Sequence, residues 1–445
     1  MDDARQITAA GQGRANEAGA GDGGEIAAAT LAAPDADPAC ERIYARLTPE
    51  RARAEAAAAA ERARAGTRRG PLDGVPLAWK DNVDSAGIAT EGGTRLLAGR
   101  VPEQDATVLG RATEAGLVCL GKTHLSELAF SGLGVNPMTA TPPNAHDPAR
   151  APGGSSSGSA VAAALGLAAA GIGTDTGGSV RIPAAWNGLV GLKTTFGLLP
   201  NDGVVPLAES LDTVGPLARD VEDAALLLAA MTGAAPATET AEAVHLTVAE
   251  GVALEGCDAE ALAGFEAALE RAGAGGARVA RADAPECAAA LEVGGRLSSI
   301  VTFEAWQAWG TLIEAHPGVM YPMIERRFRS GASVDPEADR AARAELAQQR
   351  DRLVARLAET GTLLALPAVA CLPPPVATLL EDDAYYAERN LLALRNTRIA
   401  NLLGLAALTL PVPGHPMTGL MLFGPPRSEA ALLAAGRALE RMLAR

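Results

Sequence analysis

With 445 residues, 48% of them hydrophobic and 20% charged, the chain is long and apolar enough to bury a sizeable core and is globular rather than disordered. A formal charge of −15 argues against a nucleic-acid or anionic-membrane surface, because phosphate contacts need clustered cations. Five cysteines (Cys40, Cys119, Cys257, Cys287 and Cys371), odd in number and without a C-x-x-C pair, indicate neither a disulfide framework nor a zinc site.

The chain begins with a Gly- and Ala-rich polar stretch. Residues 1–25 are expected to form a loose end or a frayed helix, within an N-terminal segment of residues 1–45 set apart from the domain that follows. Neither a basic-then-apolar leader nor an 18-residue strongly apolar window occurs, so a soluble cytoplasmic protein is expected. Residues 48–66 read as a surface helix, Leu72-Asp73-Gly74 as a turn, and Val75 to Trp79 as a short buried strand with Lys80 at its end. From there to about residue 235, strand-like runs (Leu117 to Leu120, Gly171 to Thr174) alternate with helical ones (Ala160 to Ala170), which favours α/β layers. Residues 257–275 and 335–360 have helical periodicity and fall within 236–360, expected to be a helical cap inserted into one compact unit, 46–445. Strand-like runs return at Leu363 to Ala370, Ala406 to Val412 and Leu420 to Phe423, before a last amphipathic helix from Ser428 to Leu443.

Several short motifs compete for the chemistry. Gly116 to Thr123 fits the G-x-x-x-x-G-K-[ST] phosphate loop, but its middle residues, Leu-Val-Cys-Leu, should be a strand rather than a loop wrapped around an anion. Gly154 to Gly158 fits G-x-S-x-G, yet the residues before it, with Pro148 and Pro152 between Asn144 and Gly153, form no strand that could present a nucleophile elbow. Two Gly/Ser segments, Gly153 to Ala160 and Gly173 to Arg181, each end at a helix start. Unshielded amides and the partial positive charge there can hold an oxyanion. Each segment alone also fits a Ser-capped turn. Of the 38 basic residues only Lys80, Lys122 and Lys193 are lysine, and an ammonium, unlike a guanidinium, can lose its proton on burial.

Pro71 to Asn82, Pro152 to Ala160, Gly173 to Ala185 and Gly188 to Thr194, in that order, closely resemble the amidase signature family, with weaker likeness at Ser210 to Pro216 and Ala400 to Ala407. The resemblance implies a central mixed twisted β-sheet flanked by helices on both faces. It also implies a Ser-Ser-Lys triad with Ser179 as nucleophile, Ser155, 24 residues earlier and in a cis peptide, as bridge, and Lys80 as base. The amides of Thr176, Gly177, Gly178 and Ser179 would form the oxyanion hole, with Asp175 and Arg181 bracing the loop and Ser156 accessory. Ser157, where the family commonly has Gly, and Trp79, where a small aliphatic residue commonly stands, depart from the pattern. The implied activity is hydrolysis of a small amide, ureido and carbamoyl compounds included, through an acyl-enzyme and without metal or cofactor, the protein forming a homo-oligomer at most. The alternative is the glutaminase-like subunit of a tRNA-dependent amidotransferase. Tyr321, Arg326 and Arg398 are the polar groups expected to reach a substrate, where an arginine would suit a carboxylate.

Overall fold

Short apolar runs closed by Pro or Gly become the strands of one sheet. A computed structural model describes residues 8–17, 27–29, 31–32, 38–296 and 300–444. Its strands are β1 (Tyr44–Leu47), β2 (Pro76–Lys80), β3 (Val118–Thr123), β4 (Ala170–Asp175), β5 (Val190–Lys193), β6 (Thr213–Ala218), β7 (His245–Glu250), β8 (Arg278–Asp283), β9 (Leu363–Pro367), β10 (Ala406–Pro411) and β11 (Gly419–Gly424). Among the described residues they form an eleven-stranded mixed sheet in the order β1-β3-β2-β4-β6-β5-β10-β11-β9-β7-β8. The β3-β2-β4 and β9-β7-β8 groups are parallel, the other pairings antiparallel.

Both faces are covered, as alternation along a strand shows. In β11, Leu420 and Leu422 enter one core cluster and Met421 and Phe423 the other. The first cluster takes Leu109, Leu227, Phe265 and Leu439 from the helices Thr107–Glu114, Val221–Thr232, Ala259–Ala274 and Glu429–Leu443. The second takes Trp186, Leu353 and Ile399 from Arg181–Trp186, Pro336–Thr360 and Asp383–Leu402. The α/β fold with helices on both faces is therefore the observed one.

Several local expectations can be set beside what is found. The helix expected across 160–170 ends at Ala164, because Gly166 turns the chain with φ +72° and β4 begins at Ala170. The segment 236–360 is helical in large part but also supplies β7 and β8. β8 is exposed along nearly its whole length, so its sequence, Arg-Val-Ala-Arg-Ala-Asp, shows no buried alternation and reads as an edge strand only once paired. At the N-terminus, Ala9–Glu17 is a helix whose first amides, Ala9 and Ala10, donate to the Asp223 carboxylate at 2.7 Å each; residues 1–7 and 18–26 lie outside the described residues. The phosphate-loop string is strand β3, and Lys122 within it is buried, donating to Thr90 Oγ1 at 2.8 Å beside Asp81.

Candidate active site

The parallel β2-β4 pair sets the site. Leu77 pairs with Ala170 and Trp79 with Ile172, so the register carries Lys80, at the carboxyl end of β2, level with Gly173, next to Thr174. Such strand ends are where α/β sheets place ligands. Glycine makes room beside them. A Cβ on Gly173 would lie 2.4 Å from Ser156 Oγ, and one on Gly171 would lie 2.3 Å from the Ser159 carbonyl oxygen, so β4 admits the turn at 153–156 and the helix Ser157–Ala164 only without side chains there. Gly173→Ala should therefore push Ser156 away from β4 and, with it, Ser155 off Lys80. We expect a loss of ~1–3 kcal/mol of stability from overpacking together with a fall in kcat of at least about tenfold, read by thermal unfolding and steady-state kinetics.

The turn holds its serines in sequence. The Gly154–Ser155 peptide is cis. Lys80 Nζ donates to Ser155 Oγ at 2.7 Å and to Thr174 Oγ1 at 2.8 Å, while Asn82 Nδ2 donates to the same threonine oxygen at 3.0 Å. Ser156 Oγ donates to the Thr174 carbonyl at 3.2 Å, and Ser156 N–H to the Ser179 carbonyl at 3.2 Å, which ties the two Gly/Ser segments together. Ser179 lines a pocket together with Thr176, Gly177, Leu394 and Asn401. Among the described residues its hydroxyl makes no hydrogen bond, to Ser155 or to any other group.

Burial decides the protonation states. Lys80 is fully enclosed, and desolvation pushes its amine down to about 7 although the charges of Asp212 and Asp175 oppose this. Burial also raises Asp212, to about 6, against hydrogen bonds from Thr176 Oγ1, Leu207 N–H and Ala208 N–H. Asp175 behaves oppositely. Burial works against its ionised form, but the Arg181 guanidinium, at 3.0 Å, outweighs it and lowers the pKa. Asp175 also accepts from Gly178 N–H at 2.8 Å, Val180 N–H at 3.1 Å and Asn401 Nδ2 at 2.8 Å, and Arg181 reaches the Thr397 carbonyl at 2.7 Å, so the loop is pinned to the helix Asp383–Leu402.

That pinning changes one expected assignment. The Gly178 amide is taken by Asp175, whereas among the described residues the amides of Thr176, Gly177 and Ser179 donate to no protein group. Of the groups expected to meet substrate, Arg398 lines the pocket. Arg326 is exposed and pairs with Asp383, and Tyr321 precedes the helix Pro322–Ser330, giving its N–H to Glu127 and packing its ring nearly perpendicular to that of Tyr386. Neither lines the pocket. Arg327 does, with its guanidinium 4.5 Å from the centre of the Phe130 ring. The signal was present in the helix, since Ile324 and Phe328 are buried and position 327, three beyond 324, shares their face, while 326 is turned away. Glu127 was missed as well. Burial pushes its carboxyl up to about 7 as it accepts from Thr94 Oγ1 at 2.7 Å and Tyr321 N–H at 2.8 Å, joining the pocket loop at Ala129 to Ser131 to the helix that carries Arg327.

Among the described residues no group of three or more His, Cys, Asp or Glu side chains converges as a metal site would, and no helix is long and apolar enough to cross a membrane. Comparison with known proteins gives a consistent picture. The profile of the family described as Amidase matches residues 36–433. A 2-amino-5-chloromuconic acid deaminase from Comamonas testosteroni is 34% identical over 427 residues, 91% of this chain and 91% of its own. One subunit of the glutamyl-tRNA(Gln) amidotransferase from a Synechococcus strain is 41% identical over 255 residues, 54% of this chain and 50% of its own, so the match spans half of that relative. A crystal structure of an amidase superposes with a TM-score of 0.87 at 33% identity, covering 97% of this chain and 99% of that one.

Proposed function

The chain belongs to the Amidase family, hydrolases of carbon–nitrogen bonds, and on that premise we propose that it opens a small amide through Ser179, Ser155 and Lys80 by way of an acyl-enzyme. The observation that carries this reading is the 2.7 Å hydrogen bond from the buried Lys80 amine to Ser155 Oγ. An amine with a pKa near 7 is neutral in about half of the molecules at neutrality and in most of them above it, so it can accept the Ser155 proton while Ser155 takes that of Ser179. Ser179 Oγ then adds to the carbonyl. The oxyanion meets unpaired amides at Thr176, Gly177 and Ser179, and the relay returns the proton to the departing nitrogen. Water hydrolyses the ester by the same relay. Ser156 is read as holding the Ser155 turn against β4, and Asp175 with Arg181 as holding the amide loop in shape.

The enzyme so read works in the cytoplasm on a small-molecule amide, ureido and carbamoyl compounds included, alone or as a homo-oligomer, without nucleic acid, membrane, metal or cofactor. Likeness across 91% of both chains to a deaminase named for a small organic acid supports a free-standing enzyme over the amidotransferase component, whose likeness stops at half its length. A screen of the purified protein for ammonia release from small primary amides, ureido acids and glutamine tests this. Release from glutamine alone, and only with copurifying partner proteins, would reverse the choice.

The pH dependence follows from the same amine. Protonated Lys80 cannot accept a proton, so kcat/KM should fall as pH drops through about 7 and reach a plateau above it. A pH profile with its acidic limb near 10, the ordinary lysine range, would contradict the buried-base assignment.

A further inference from the structure

We propose that the substrate of this site is an anionic amide, whose carboxylate is held by Arg327 and Arg398. The inference rests on the amide-hydrolase reading above and adds the substrate class. Both guanidinium groups line the pocket that contains Ser179, and both Nε atoms are sealed from solvent without an acceptor. Among the described residues, the other arginines whose Nε is similarly orphaned, Arg68, Arg356 and Arg389, each have a carboxylate at another nitrogen: Glu17, Glu286 and Asp258. Among the described residues Arg327 and Arg398 have none, and no Asp or Glu lines their pocket.

Two like charges thus share a largely apolar cavity with Leu207, Leu211, Val301 and Leu394. Burial lowers both from the ordinary arginine range, and each faces a further cation: Arg398 acts on Arg327, and Arg395 on Arg398. A buried cation without a counter-ion is costly, and the arrangement becomes favourable once an anion enters. Planar guanidinium groups match a carboxylate by paired N–H donors, and Arg327 is already oriented by stacking on Phe130. The apolar lining suits a short hydrocarbon chain between that carboxylate and the scissile amide.

The test compares the half-amides of succinate, glutarate and adipate with neutral butyramide and pentanamide, by ammonia release. Charge-assisted hydrogen bonds of this kind predict a kcat/KM ratio of at least ~100 in favour of the half-amides. Arg327→Met and Arg398→Met should each cut that ratio by at least ~10-fold, mainly through KM; the lysine variants, which keep charge but lose the fork, should fall between. A ratio near one in the native enzyme, or one unchanged in all four variants, overturns the proposal while leaving amide hydrolysis intact. Should no amide be cleaved, the anion seat is still read by thermal shift. Succinate, glutarate and adipate should raise Tm over chloride at equal ionic strength in the native chain but not in the arginine variants. The absence of any such shift overturns the proposal as well.

Discussion

Ser179→Ala is expected to remove activity almost completely, lowering kcat by at least about 10⁴-fold, because in the proposed relay it is the nucleophile, and removing one member of an interdependent relay costs nearly as much as removing the whole unit. The fold should survive. Among the described residues Ser179 Oγ makes no hydrogen bond, so its removal leaves no internal donor or acceptor unsatisfied, and a change in stability within about 0.5 kcal/mol is expected. The same variant should fail to accumulate the acyl-enzyme that a slowly turned-over amide or ester forms on the native chain, seen as an added mass on the intact protein. Ser155→Ala provides the contrast. It deprives Lys80 of its 2.7 Å partner but leaves the nucleophile, so a loss of ~10²–10⁴-fold is expected, with residual acylation still confined to Ser179. Retention of more than a tenth of the native kcat by Ser179→Ala would move the nucleophile elsewhere, with Ser155 and Ser156 the first places to look.

What could be read from residues alone follows from what each signal depends on. β2, β9, β10 and β11 were legible because they are buried on both faces and so remain continuous apolar runs closed by Pro or Gly. β8 was not, since its exposed edge needs no apolar pattern, and its neighbour β7 was passed over inside a segment that is otherwise largely helical. In the site, Lys80, Ser155, Ser156, Asp175, Ser179 and Arg181 lie in local motifs, and their spacing carried the resemblance. The amide geometry was beyond reach of spacing. That Gly178 N–H turns to Asp175 while its neighbours stay free depends on where Arg181 and Asn401, 220 residues apart, fix the carboxylate. Arg327 against Arg326 is a matter of one residue's rotation about a helix axis, decided by Ile324 and Phe328 packing inward. Polar groups in the catalytic loop were thus visible from sequence, while those of the pocket wall, drawn from distant helices, needed the packing.

Lys80→Met is the second large expectation, with opposite signs in activity and stability. The thioether keeps most of the stem volume but cannot take the Ser155 proton, so kcat should fall ~10²–10⁴-fold, the contribution of a positioned base. Lys80→Arg should do no better, because a guanidinium stays protonated and cannot serve as acceptor. Stability should move the other way. Burial lowers the Lys80 amine from 10.5 to about 7 in the folded chain. Between those values the unfolded chain binds the additional proton, so native stability rises with pH across that window, and below about 7 the fold bears the whole cost of an enclosed ammonium. Lys80→Met removes the titrating group. Its Tm relative to the native chain should be highest below about pH 7 and should decline toward pH 10.5, offset by the lost hydrogen bonds to Ser155 Oγ and Thr174 Oγ1. Unfolding curves of both proteins at about pH 6, 8 and 10, which start below that window and run through most of it, check this. A Tm difference independent of pH would mean that the amine keeps its ordinary affinity for protons, and with that the relay from Ser179 would lose its base.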